Sequence, residues 1–315
     1  MTAVPLSVNG NEAPPAERGM PIAWLLPLML TVLVMVAVVP VVLLGYLGAR
    51  DNTDRLMRDR SELVLDGIVG TLVSQLEQVE TLLGHAVEAG GGASLDTRDL
   101  DVRRAFLAAA VAAAPQVDMI ALALPDQSWL ILEGGNWRDH GAAMGEQPHV
   151  RQAVNKLNAD LGSLWFGPFW SPALEEPVIA FGTALKSARR DHAGALVAMV
   201  PIHKLSGYLM ETANDFGQTP FVLLGRSRVL AHPELTRASQ VVGRQRDQIP
   251  RIGAFGDRVL ARIWSRQAND LSRAQPFRRS RGHWSWLEPD GFESNAYVYR
   301  ALAGYGTEPW TVGFH

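Results

Sequence analysis

An α+β protein carrying one membrane-spanning helix is the fold class this sequence predicts, and three observations predict it. Residues Gly19 to Ala49 hold no charged side chain. From Arg50 to about Glu88, apolar residues recur at spacings of three and four with no proline. Beyond that, short apolar runs punctuated by turn residues come in two successive sets, the pattern of antiparallel sheets.

The uncharged run exceeds the roughly 20 apolar residues, at about 1.5 Å each, that cross a hydrocarbon layer about 30 Å thick. Trp24 and Tyr46 lie near its ends, where amphipathic rings settle at headgroup level. A cleaved signal peptide would have a basic leader and a shorter apolar core. Met1 to Arg18 instead sets one Arg against Glu12 and Glu17, so an uncleaved anchor is the expectation, although Leu47-Gly48-Ala49 fits a small-residue cleavage site. Pro40 should kink the helix, whereas Pro27 lies in its first turns, where a missing N–H costs little. Arg50, Arg55, Arg58 and Arg60 come just after the span, which taken alone favours a cytoplasmic placement of the large C-terminal region. Asp51, Asp54, Asp59 and Glu62 offset them, and long domains translocate largely regardless. Residues 1–19 read as a disordered cytoplasmic tail, 20–49 as the transmembrane helix and 50–92 as a stalk or spine helix roughly 60 Å long.

The spine's stripe is Leu65, Ile68, Leu72, Leu76, Val79, Leu83 and Val87, and Gly90-Gly91-Gly92 should stop it. Asp99 to Ala114 is a second helix ended by Pro115. Asp118 to Leu124 and Trp129 to Leu132 form a hairpin, and Glu133-Gly134-Gly135-Asn136 opens a loop. A helix over Gln147 to Leu157, a turn-rich aromatic segment from Leu164 to Pro172, strands Pro177 to Leu185 and Ala193 to Val200, and a helix from Pro201 to about Ala213 complete a first unit, 93–215. The order then recurs over 216–315. Pro220 to Leu224 and Val229 to Ala231 make a hairpin, a mixed helical stretch runs through Arg266, and strands fall at Ser285 to Leu287 and Ala296 to Leu302 around a Glu288 to Gly291 turn. Trp310 to Phe314 is a last strand.

Composition removes several functions. A net charge of −3 gives no global field for nucleic acid, and none is expected as a partner. No cysteine is present, so disulfides, thiolate metal sites and a Cys nucleophile are excluded. Eight scattered histidines never pair at i+3 or i+4, so no metal and no cofactor are predicted. Phosphate-loop, nucleophile-elbow and dinucleotide glycine motifs are missing, so no catalytic residue is assigned. Arg262 to Arg281, followed by Trp284 and Trp286, is a basic stretch read as a solvated loop near a membrane surface.

Phe221-Val222-Leu223-Leu224-Gly225-Arg226-Ser227-Arg228-Val229-Leu230-Ala231-His232-Pro233 and the closing Trp310-Thr311-Val312-Gly313-Phe314-His315, set in this order of elements, resemble the double Cache sensor regions of bacterial transmembrane receptors. The resemblance covers about residues 50–315. It implies two PAS-like antiparallel-sheet modules leaning on the long helix, the first membrane-distal and the second membrane-proximal, held in the periplasm from the bacterial inner membrane. It implies a small-molecule ligand, a homodimer and a signal passed across the bilayer. The output domain would be missing from this chain: an adenylate or guanylate cyclase first, a histidine kinase or chemoreceptor next.

The candidate ligand-binding residues are Trp137, Arg138, Trp165, Phe169 and Trp170, aromatic walls with one fixed charge at the ends of predicted strands. The competing reading makes these aromatics core fillers. The alternative function is a membrane-anchored structural or interaction protein whose long helix pairs with a partner.

Overall fold

The computed structural model describes residues 22–90, 99–113, 117, 119–124, 126, 128–138, 141–160, 162–186, 192–236, 249–264, 283–290 and 293–315. The expected tail, the glycine stop at 91–92 and positions 265–282 of the basic stretch lie outside them. The chain divides into two units, Met1–Arg60 and Ser61–His315.

In the first unit, helix α1 (Ile22–Gly90) begins and carries Leu26–Ala49, 24 residues long and apolar enough to cross a membrane, with no buried side chain. Pro27 and Pro40 lie within it. The Thr31 hydroxyl donates to the Pro27 carbonyl at 2.7 Å and that of Thr53 to the Ala49 carbonyl at 2.9 Å. Such back-bonding satisfies hydroxyls without leaving the helix.

The second unit takes the rest of α1 as its spine. The predicted stripe is buried from Leu65 to Leu83, with Val87 half-buried. A first module comes next, made of α2 (Leu100–Ala113), β1 (Met119–Ala123), β2 (Trp129–Glu133), β3 (Asn136–Arg138), α3 (Gly141–Gly145), α4 (Pro148–Asp160), β4 (Ser163–Ser171), β5 (Glu176–Lys186) and β6 (His192–Pro201). Its sheet has the order β3-β2-β1-β6-β5-β4, all neighbours antiparallel. Helix α5 (Ile202–Phe216) leads to β7 (Pro220–Leu224), β8 (Arg228–Ala231), β9 (His283–Asp290), β10 (Glu293–Leu302) and β11 (Trp310–Phe314), in the order β8-β7-β11-β10-β9. In each sheet a hairpin sits beside three later strands, where the sequence predicts that a hairpin and two more strands occur twice.

Alternation along the strands assigns the two faces of the first sheet. Ile120, Leu122, Ile179, Phe181, Leu196 and Ala198 join the α1 stripe in one hydrophobic cluster, which continues into Phe221, Leu223, Trp310 and Phe314 of the second sheet. Met119, Ala121, Ala123, Val178, Val197 and Met199 face the other way and pack with Val150, Ala153 and Leu157 of α4. Two polar contacts fasten the sheets to the spine: Trp165 Nε1 donates to Glu80 Oε1 at 2.6 Å, and Arg300 pairs with Asp66 at 2.8 Å.

Three local expectations differ from the structure. The predicted loop at Glu133 to Asn136 is a tight turn into β3, with Gly134 at φ 51° and Gly135 at φ 85°, the positive values a two-residue hairpin needs. The segment from Leu164 is a nine-residue strand, β4. It absorbs Gly167 (φ 108°) and Pro168 in a bulge between Phe166 and Phe169, and at a sheet edge the missing proline N–H is tolerated. The Glu288 to Gly291 turn is mostly strand, since β9 runs to Asp290 with Pro289 opposite Ser294 on another edge.

Candidate functional site

The five predicted ligand residues are divided between the two edges of the first sheet. Trp137 and Arg138 are on β3, whereas Trp165, Phe169 and Trp170 are on β4, with four strands between them. At about 4.8 Å per strand the edges are about 24 Å apart, too far for one small ligand. Trp137 is 39% exposed, with the Arg104 guanidinium 5.4 Å from its ring centre. Trp165 faces α1 and packs beside Phe181 and Tyr305 at 5.2 and 6.0 Å. Phe169 faces α4 and stacks on Phe166 at 5.6 Å. The Trp170 carbonyl accepts from Gln147 Nε2 at 2.8 Å, tying β4 to the start of α4. Trp165 and Phe169 thus lie on opposite faces of one strand.

A polar recess opens on the α4 face instead. It is lined by Ala123, Trp129, Arg151, Val154, Asn155 and Asn158 and holds about 60 Å³. The Asn158 Oδ1 is buried with no partner among the described residues. Arg151 is steered by the carbonyls of Gly145 (3.4 Å), the last residue of α3, and Glu146 (3.1 Å), in the short turn before α4. A guanidinium, two carboxamides and an indole make a set suited to a small molecule with a carboxylate and an amine. Arg151, Asn155 and Asn158 escaped sequence reading because they are ordinary polar positions on an amphipathic helix; only the packing of α4 on the sheet brings them beside Ala123 and Trp129.

The second module holds a histidine–carboxylate cluster. His232 Nε2 lies 3.1 Å and His315 Nε2 2.8 Å from Asp257 Oδ2. The other carboxylate oxygen accepts from the N–H groups of Val259 and Leu260 at 2.8 and 2.9 Å. His232 Nδ1 accepts from the Glu234 N–H at 3.2 Å, which leaves its proton on Nε2, directed at Asp257. Donor atoms of the three side chains fall within 4.8 Å of one another, close enough for a metal ion, but with its Nε2 protonated His232 has no lone pair to give one, and the cluster is complete as a hydrogen-bonded hub. Burial pushes the Asp257 carboxyl up, yet the bonds from His232 and His315 outweigh it and hold it well below the usual carboxylate range. The sequence reading of His232 as a turn residue is half of its role: it caps the 3-10 turn Pro233–Leu235 and is also 1% exposed inside the hub.

No family model matches the sequence, and no curated protein matches it. Solved structures do. The sensory domain of the Campylobacter jejuni chemoreceptor Tlp3 is similar with a TM-score of 0.56 at 11% identity, covering 83% of this chain and 93% of that one. The Tlp3 ligand-binding domain in complex with L-valine gives 0.56 at 11%, covering 83% and 92%. An extracellular ligand binding receptor from Desulfohalobium retbaense gives 0.54 at 8%, covering 81% of this chain and 39% of that chain. At these identities the likeness is one of fold, and the fold is that of Cache-type sensory domains.

Proposed function

We propose that this chain is a membrane-anchored extracytoplasmic sensor that binds a small molecule and relays its presence across a bacterial inner membrane. The observation that carries the reading is one helix, α1, which includes both a membrane-length apolar stretch and the buried spine of two sheets with the fold of chemoreceptor sensory domains. Such a helix gives a ligand-biased shift of either sheet a mechanical route to the membrane. Trp165–Glu80 and Arg300–Asp66 are the polar grips through which each sheet would act on it.

The ligand site we assign is the recess of Arg151, Asn155, Asn158 and Trp129, and the ligand class a free amino acid or a similar zwitterion. The unpartnered Asn158 oxygen would take the ammonium and Arg151 the carboxylate. At about 60 Å³ the recess is far smaller than the usual small-molecule site, so binding requires the α3–α4 turn to move outward. A homodimer is part of the proposal, supported by exposed Leu56 and Leu63, seven residues apart on α1. A cytoplasmic nucleotide cyclase as the recipient of the signal rests on the family resemblance alone.

Thermal unfolding of the full chain in detergent micelles with each of the common amino acids tests the ligand reading. At least one should raise the midpoint, and Arg151→Ala should abolish the rise; no shift with any of them would remove the assignment.

A further inference from the structure

A larger cavity lies between the two sheets of the second unit, away from the α4 recess. It measures about 450 Å³, within the range of small-molecule sites. One wall is apolar and comes from the first module: Pro168, Phe169 and Pro177. The other is charged and comes from the second module: Arg228, Arg251 and Glu308.

The charged wall is built against electrostatic preference. Residues 250–252 run beside β8, with Val229 N donating to the Pro250 carbonyl and Ile252 N to the Ser227 carbonyl, both at 2.8 Å. This pairing sets Arg228 and Arg251 directly opposite each other in an antiparallel bridge. Like charges in cross-strand pairs are destabilising. Glu308 neutralises only one of them, pairing with Arg228 at 2.7 Å. A side chain at Gly225 would collide with the Glu308 carboxylate, so this glycine (φ 60°) keeps the carboxylate's place open. The Arg251 guanidinium is exposed and has no acidic partner among the described residues. Among the described residues, two arginines against one glutamate give the wall an excess of one positive charge, facing Pro168 and Pro177 across the gap.

We infer that this cleft is a second binding site, for a small organic carboxylate with an apolar body. Its carboxylate pairs with Arg251 and its body rests on the wall of Pro168 and Pro177. A guanidinium binds a carboxylate through two parallel hydrogen bonds, and the proline wall rewards an apolar body by excluding water from it. Because the two walls belong to different modules, an occupant fastens one sheet to the other. The site is independent of the amino-acid recess and does not use Arg151.

Isothermal titration of the full chain in detergent micelles with 3-phenylpropionate tests this, with its uncharged amide as the control. Binding is expected for the acid and not for the amide. Arg251→Gln should weaken it by roughly tenfold or more, a loss of about 1.4 kcal/mol. Glu308→Gln, which frees Arg228, should tighten it, and Arg151→Ala should leave it unchanged. Equal binding of acid and amide, binding insensitive to Arg251→Gln, or no heat beyond that of empty micelles at about 1 mM ligand would overturn the proposal. Loss of amino-acid shifts in Arg151→Ala with 3-phenylpropionate binding intact would show that the two sites stand or fall separately.

Discussion

Asp257 accepts four hydrogen bonds from three parts of the chain: the imidazole of His232 after β8, that of His315 after β11, and the N–H groups of the turn it begins. Its side chain is 9% exposed, so little solvent competes for those lone pairs. Asp257→Asn replaces an acceptor oxygen with a donor amide facing two N–H groups. Breaking a buried charged network in this way costs about 3 kcal/mol, which urea unfolding at pH 7 should register. The depressed carboxyl also sets the sign of the pH dependence. The folded state binds this proton more weakly than the unfolded state, so the stabilisation is complete above the unfolded value near 4 and is withdrawn as pH falls below it. Wild type and Asp257→Asn should therefore converge in stability on acidification below about pH 4. Trp165 offers a second test at this scale. Removing its indole donor in Trp165→Phe should cost about 1.5–2 kcal/mol, and combining it with Glu80→Ala should cost less than the sum, since each deletes the same bond.

Helix α1 places its energetics on one face. Leu76 is 1% exposed within the shared cluster, and Leu76→Ala should destabilise by about 2–5 kcal/mol. Gly70 and Gly84 are exposed on the same helix, and a methyl group at either meets nothing within 4 Å. Gly70→Ala should raise stability by about 0.5–1 kcal/mol in the same denaturation experiment, because it restricts the unfolded chain without disturbing packing. The α1 stripe was legible in the sequence because helical periodicity is a local signal, and so were the β1–β2 and β7–β8 hairpins. Strand β4 was not, because Gly167 and Pro168 imitate a turn where the sheet edge lets them form a bulge. The site was less legible still. Strand order sends Trp137 and Trp165 to opposite edges, and nothing in their spacing records it. His232 and His315 meet only because β11 lies beside β7 in the sheet, a long-range pairing that a search at i+3 and i+4 cannot see.

In the function proposed above, the spine, the recess by α4 and the charged cleft between the sheets are the parts through which a ligand outside the membrane would act on α1. Both modules hold α1, so a change at either can bias the same helix. Tyr305, on a loop of the second module, adds to this shared junction. It packs between Trp165 and Trp310, and its hydroxyl is pushed up by burial and by the nearby Glu80 and Glu77 carboxylates of α1. Because the sequence contains no cysteine, a single introduced thiol reports location against a silent background. Ser163 is exposed at the start of β4, and Ser163→Cys is a conservative replacement there. The most direct measurement is labelling of this variant, expressed in bacteria, with a maleimide that does not cross the inner membrane. Labelling in intact cells, undiminished relative to lysed cells, is the expected result; labelling only after lysis would place the sheets in the cytoplasm and contradict an extracytoplasmic sensor.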